Sequence, residues 1–326
     1  MKTIPIAGVQ IEAHFGKTQE NLDHAATFVE AAAHQGAQLV LLPELMPSGY
    51  VQTRDLWNWA EPEGGRTENW LCQAAERLGI YLGTSYLEAD RTDFYDTFAL
   101  AAPQGRIAGR VRKQFPAFSE PNFFRGASGS HSIDTDLGRI GVGICNDNHM
   151  TAFARLLEAD PCDLLLMPHA WPLAVKTGKA ISQADIDHQR GIALSLAPLY
   201  ARSFGIPAVM VNHCGPCAPI TPPGLIIKLL PSADFYRFPG LSVIADSDGS
   251  VRAQAGAEEG FIIARVTLDP ARKHLSEIPD YGGHVYPASA GRNLVKIDEM
   301  WGRIRYTLSR RRLETAERIS DRGPRK

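Results

Sequence analysis

IPIAGVQI (residues 4–11) and AQLVLLP (residues 37–43) are two short, nearly uninterrupted apolar runs. Runs of that length and composition read as strands covered on both faces. Between them, residues 18–34 carry Leu22, Ala25, Ala26, Phe28, Val29, Ala32 and Ala33 at helical spacing on one broad face, and Gly36 is placed to end that helix. Strand, helix, strand is a unit that needs a crossover and so implies an α/β fold.

The pattern continues outward from this unit. Residues 67–78 read as a helix and 80–85 as a short strand. Residues 97–102 and 106–111 flank the turn Pro103-Gln104-Gly105, which predicts a hairpin. RIGVGIC (139–145) is another buried-strand run, followed by a helical stretch at 150–159 and the strand DLLLMP at 163–168. Strands are expected again at 206–212 and 241–246, the latter leading into the turn Asp248-Gly249. Hairpins and crossovers together predict a mixed sheet. Residues 172–195 and 214–240 read as two long connections, the second rich in proline.

Composition excludes several classes. The chain has 326 residues, with 34 basic against 36 acidic and 44% hydrophobic. A disordered chain would be poorer in apolar residues, and a nucleic-acid-binding surface needs a basic domain. No window approaches a membrane span. The N-terminal stretch MKTIPIAGVQIEA lacks the apolar core and cleavage site of a secretory signal. Five cysteines (Cys72, Cys145, Cys162, Cys214 and Cys217) do not form a disulfide framework. The expectation is a cytoplasmic protein with free thiols.

Three polar residues stand at the ends of apolar runs: Glu44 after LVLLP, Lys113 after IAGRVR, and Cys145 at the end of RIGVGIC. Active groups in open α/β sheets collect beyond strand ends. A thiol, a carboxylate and an ammonium make a usable set. The carboxylate takes the thiol's proton during attack, the ammonium stabilises the developing oxyanion, and the backbone N–H of Asn146 is a second candidate donor. That set suits covalent acyl transfer at a C–N bond.

The sequence around these residues resembles the nitrilase-like carbon–nitrogen hydrolase family. The resemblance is carried by LVLLPELMPSGY (39–50), RVRKQFPAFSEPNFFRG (110–126) and GVGICNDNHMTAFARLLEADPCDLLLMPHAW (141–171). It extends to IAGVQIEAHFGKTQENL (6–22) and GLSVIADSDGSVRAQAGAEEGFIIARVTLDP (240–270). It implies a four-layer α-β-β-α sandwich with a hydrolase domain over 1–275 and a C-terminal extension over 276–326, packing on the domain or on a partner subunit. It also implies Glu44 as general base, Lys113 as the stabiliser of the tetrahedral intermediate, Cys145 as nucleophile and Glu120 as the carboxylate that orients the lysine. Trp171 matches a pocket-lining position, and Tyr50, Phe118, His169 and Asn146 are further candidates for contact with substrate. The family assembles as homodimers or larger homo-oligomers.

The departures from the family pattern bear on substrate. The form Cys-Asn-Asp at 145–147 is similar to that of N-carbamoyl-D-amino acid amidohydrolases, but the paired arginines that follow it there are Asn148 and His149 here. A bidentate carboxylate clamp is therefore missing. Arg155 lacks the glutamate that usually follows the cysteine block, and Arg202 in LYARSFGIP is displaced from the family's helix signature. The expected substrate is a small amide or N-carbamoyl compound, with nitrile hydrolysis or acyl transfer from the same acyl-enzyme as the alternatives and a non-catalytic scaffold as a remote one. The long connections, with His169 and His188, suggest a pocket for a larger or less charged molecule.

Other features carry no further chemistry. Cys214-Gly-Pro-Cys217 spells a redox motif, but APITPPG (218–224) follows it, where a helix cannot start comfortably. No metal-binding histidine spacing and no phosphate-cradling glycine motif is present, and the proposed chemistry needs no cofactor. Asp185, Asp187 and His188 read as an exposed helical face. Residues 303–326 hold nine basic and three acidic residues, which reads as a solvated helix or tail, or as an arm docked on a partner subunit.

Overall fold

The computed structural model describes residues 1–178, 181–217, 236–274, 278–287 and 292–323. Two six-stranded sheets lie face to face. The first runs in the order β15 (Gly260–Leu268), β1 (Lys2–Gln10), β2 (Leu39–Leu41), β3 (Tyr81–Asp90), β4 (Asp93–Ala102), β5 (Arg106–Arg112). The second runs β14 (Val251–Gln254), β13 (Val243–Ala245), β10 (Ala208–Val211), β8 (Leu164–Pro168), β7 (Gly138–Val142), β6 (Ser132–Thr135). Strands β1, β2 and β3 are parallel, as are β7, β8 and β10, and antiparallel strands complete both sheets.

The period of two along each strand divides the core into layers. Ile4, Ile6, Leu39 and Leu41 of the first sheet meet Leu164, Leu166, Val209 and Val211 of the second in a dry interface. The alternate residues Ala7, Val9 and Val40 face helices α1 (Thr18–His34) and α2 (Arg66–Leu78). On the other side, Leu165, Met167, Ala208 and Met210 face α3 (Thr151–Ala159) and α4 (Gln183–Phe204). This is the expected α-β-β-α sandwich. The strands needed near-continuous apolar runs because both faces are covered. At Gly8 the sheets come so close that an added Cβ would lie 2.6 Å from Val211 Cγ2.

Two expectations are corrected. Residues 172–195 are not one long connection, because α4 begins at Gln183. Ser182 and Asp185 close a capping box at its start, with Ser182 N–H donating to Asp185 at 2.8 Å. Gly191 and Pro198 inside the helix obscured its apolar period. The basic C-terminal stretch is not a solvated tail either. Helices α5 (Arg292–Thr307) and α6 (Arg310–Ser320) pack on the same chain's β3–β4 hairpin and on the short 3-10 turn Glu120–Asn122. Tyr306 is buried, its hydroxyl accepting from Phe94 N–H at 2.8 Å, and Arg312 pairs with Asp93 at 2.7 Å.

The connection 214–240 lies mostly outside the described residues. Its ends form β11 (Cys214–Pro216) and β12 (Tyr236–Pro239), which join β9 (Leu173–Ala174) in a small third sheet. Cys214 thus sits in extended chain, not at a helix start. Three residues of extended chain span roughly 10 Å, more than the roughly 7 Å a disulfide bridges, and none of the five cysteines is in a disulfide.

Candidate active site

The sandwich brings strand ends together. Glu44 follows β2, Lys113 follows β5 and Cys145 follows β7, while His169, Ala170 and Trp171 follow β8. Hydrogen bonds lock the ends across the two sheets. Glu44 N–H donates to His169 O at 3.4 Å, and Ala170 N–H donates to Glu44 Oε2 at 2.7 Å. His213, just after β10, bonds the carbonyl of Glu44 through Nε2 at 2.7 Å.

Lys113 is the centre of the cluster. Its Nζ donates to Glu44 Oε1 at 2.6 Å and lies 2.8 Å from Glu120 Oε2, with Asp96 Oδ2 at 4.0 Å. All four side chains are buried. Burial works against the charge on Lys113, but Glu120 and Glu44 outweigh it and hold the ammonium well above its ordinary range. Burial also opposes ionisation of Glu44, yet the adjacent Lys113 keeps it below the usual carboxylate value. Asp96 goes the other way: burial and the neighbouring Glu44 charge push it well above that value. The two carboxyls are thus pushed in opposite directions, Glu44 toward the ionised form and Asp96 away from it. Burial raises Glu120, against the pull of Lys113. Tyr50 donates to Glu120 Oε1 at 2.7 Å and accepts from Gln52 at 2.6 Å, and Ser119 bonds Gln52 in turn.

Cys145 opens a 3-10 turn over Cys145–His149 and adopts φ 47°, in the left-handed region that non-glycine residues avoid. The turn is fastened by Asp147, whose carboxylate accepts from Ile144 N–H at 3.1 Å, Gln114 N–H at 3.1 Å and Phe115 N–H at 2.8 Å. One side chain thus ties the cysteine turn to the segment that follows Lys113. Asn146 adds a bond to Phe115 O at 2.9 Å, so its amide serves the same seam. Asn148 donates to Gly143 O at 2.6 Å and to Cys145 O at 3.2 Å. Burial first, and then the charge of Glu44, push the Cys145 thiol well above its ordinary range, while Lys113 pulls it down. The resting group is a neutral thiol with an ionised carboxylate in electrostatic reach.

An aromatic wall stands beside this cluster. The His149 ring lies 4.4 Å from Trp171 and 5.5 Å from His169, centroid to centroid. Its Nδ1 meets the Tyr286 hydroxyl. Tyr286 belongs to the segment 278–287, which is laid along the turn by bonds from Val285 N–H to His149 O and from Thr151 N–H to Gly283 O, both 3.0 Å. Phe118 is 56% exposed and sits at φ 49° in the loop before the Glu120 turn. Arg155, without its usual local glutamate, faces Asp280 at 3.4 Å.

Sequence reasoning missed Asp96, Gln52 and Ser119, and gave Asp147 no role. Asp96 lies just before the strand read at 97–102, inside the observed β4, and belongs to no motif. Asp147 carried a usable signal, an aspartate two residues into a turn that follows a strand.

A family model described as carbon-nitrogen hydrolase matches residues 5–273. The chain belongs to the carbon–nitrogen hydrolase family. It is a hydrolase of non-peptide C–N bonds, as the three motif blocks led us to expect. The hydrolase is 33% identical to the omega-amidase NIT2 of Xenopus tropicalis, over 80% of this chain and 87% of that protein. Its match to the omega-amidase NIT2-B of Xenopus laevis, also 33% identical, spans 49% of this chain and 61% of that relative. Among solved structures, a carbon-nitrogen hydrolase from Helicobacter pylori G27 superposes with TM-score 0.69 at 22% identity, covering 82% of this chain and 90% of that one. A mutant of the amidase from Nesterenkonia sp. AN1, showing covalent addition of the acetamide moiety of fluoroacetamide at the active site cysteine, superposes at 0.64 with 25% identity, covering 81% of this hydrolase and 90% of that chain.

Proposed function

We propose that the hydrolase is an amidase working through a Cys145 acyl-enzyme, with Glu44 as general base and acid, Lys113 as oxyanion stabiliser and Glu120 holding Lys113. One observation carries this reading: an ionised buried carboxylate and a buried ammonium in direct contact, in electrostatic reach of a thiol on a strained turn. The similarity to omega-amidases and to an amidase that forms an adduct at its cysteine supports it.

In this mechanism the Cys145 sulfur attacks the amide carbonyl as Glu44 takes the thiol proton. The C–S bond forms and the carbonyl electron pair moves to oxygen, where Lys113 Nζ and the backbone N–H of Asn146 are the candidate donors. Collapse breaks the C–N bond, and Glu44 returns its proton to the leaving nitrogen. Water, deprotonated by Glu44, then attacks the thioester, and the acid product leaves with the thiol restored. Neutral thiol and ionised base suit this sequence, because the proton moves only when substrate is in place.

The test is Cys145→Ala. Turnover should fall to background while the circular dichroism spectrum stays unchanged, and mass spectrometry of the wild type with substrate should find the acyl mass on Cys145. Full ammonia release by the alanine variant overturns the reading.

Trp171, His169, Tyr50 and Asn146 are read as the substrate side of the site, with the two hydroxyl- and amide-bearing residues acting through Glu120 and the cysteine turn. We also read the chain as a hydrolase domain over 1–275 with an extension over 276–326, and as a cytoplasmic homodimer or larger assembly. Among the described residues no helix is long and apolar enough to cross a membrane. An exposed apolar stripe along α5 (Met300, Trp301 and Ile304) and the turn residue Leu308 just after it support the assembly.

A further inference from the structure

His169 is the wall residue with a buried ring nitrogen that meets no partner among the described residues. It follows β8, and the next backbone N–H holds Glu44 Oε2, so the imidazole stands one residue from the group that grips the proposed base. Its Nδ1 faces Met167 O at 2.9 Å. A carbonyl only accepts, so Nδ1 carries the proton and Nε2 presents a lone pair. That Nε2 is buried and meets no partner among the described residues. A buried acceptor left unmet costs free energy; Asp96 Oδ1 and Oδ2 and Asn148 Oδ1 are likewise unmet, but His169 Nε2 is the one such atom on the aromatic wall among the described residues.

The surroundings define what could meet it. The His169 ring lies 5.5 Å from His149 and 6.3 Å from Trp171, so its neighbours on that side are aromatic. Burial holds both imidazoles neutral, with His169 lowered to about 4 and His149 well below its ordinary value. The charged side chains that act on His169 are Glu44 and Lys113, and Lys113 is already clasped by two carboxylates. Asn148, at the first of the two positions where an arginine pair would hold a carboxylate, is committed to Gly143 O and Cys145 O. An anionic acyl group beside Lys113 would meet the carboxylates of Glu44 and Glu120, which already clasp the ammonium.

We propose that His169 Nε2 accepts a hydrogen bond from the acyl part of the substrate, and that the wall of His149, His169 and Trp171 selects an uncharged acyl group bearing a hydroxyl or N–H donor. This rests on the amidase reading and names its substrate class. The donor satisfies the lone pair, and the rings exclude charge.

The experiment uses three amides of similar length: 4-hydroxybutyramide with a donor, pentanamide without one, and succinamate with a carboxylate. Binding is measured by calorimetry on the full-length Cys145→Ala protein, with and without His169→Phe and His169→Gln. The hydroxylated amide should bind best. His169→Phe should weaken it about tenfold and leave pentanamide within about twofold, and His169→Gln, whose side-chain oxygen also accepts, should restore part of the loss. Tighter binding of succinamate, or an equal loss for both neutral amides in His169→Phe, overturns the proposal. Turnover is read separately on the protein with Cys145 intact: failure to release ammonia from any of the three sinks the amidase reading, while the binding comparison still decides the role of His169.

Discussion

At the scale of residues, the site is a partition of protons. Four ionisable side chains crowd around one ammonium, and burial alone would neutralise them all. Lys113 favours ionised Glu44, burial and the Glu44 charge push Asp96 the other way, and the Cys145 thiol stays protonated. The sign of each shift sets the pH profile. The base loses competence only when pH falls below its lowered value, and the Lys113 ammonium and the Cys145 thiol lose their protons only well above their ordinary ranges. The expected kcat/KM for a neutral amide is therefore flat between about pH 6 and about pH 9. A bell with a limb near neutrality, measured with an uncharged substrate, would mean that another group controls the reaction. Glu44, Lys113 and Cys145 were legible in the sequence because each ends an apolar run inside a specific motif. Asp96 was not, because nothing in a strand pattern tells which alternate residue faces a buried ammonium.

At the scale of elements, polar side chains stitch the layers that apolar faces only press together. Glu68 on α2 is almost fully buried, although its helix lies on the outside of the first sheet. Its carboxylate takes two bonds from Arg110 of β5, at 2.5 and 2.6 Å, one from the Tyr86 hydroxyl of β3 at 2.8 Å and one from Gly64 N–H at 2.8 Å. Glu68→Ala should cost about 2–3 kcal/mol, since it removes charged hydrogen bonds but leaves a half-exposed Arg110 that can turn to water. Burial would raise this carboxyl, but its bonds to Arg110 and Tyr86 hold it lowered in the folded state. Its contribution is thus present at neutral pH and lost as pH falls through the acidic range. Urea midpoints of wild type and variant should differ at pH 7 and converge below about pH 4. Equal midpoints at pH 7 would show the network to be neutral. Most inner strands of both sheets and α1 to α3 were readable from period and length, whereas β6, β14 and β15 at the sheet edges were not. Helix α4 was not, because Gly191 and Pro198 break its signal while long-range packing on β10 and β13 sustains it.

At the scale of the whole molecule, the C-terminal helices are joined to the catalytic loop rather than merely appended. Gly302 of α5 lies so close to the turn that carries Glu120 that an added Cβ would sit 2.7 Å from Asn122 Nδ2. The opposite side of α5 leaves Trp301 half exposed at 49%, together with Leu308 at 76%. If that stripe is the contact between copies, Trp301→Glu should shift sedimentation toward the monomer and, through α5 and the Glu120 turn, reduce kcat by a few-fold. An unchanged sedimentation coefficient would place the contact elsewhere. The sequence showed the basic charge of this region but not its destination, since charge alone does not say which neutral face lies beneath.

The sandwich also divides its chemistry. Glu44, Lys113 and Glu120 hang from one sheet, and Cys145, His169 and Ala170 hang from the other, with only a dry apolar seam and a few bonds between their ends. Two plates that slide by a fraction of an ångström would part acid from thiol while every strand stayed paired. Such a molecule can fall silent before it melts: heat or pressure would dim its turnover at a point where its spectra still report a native fold.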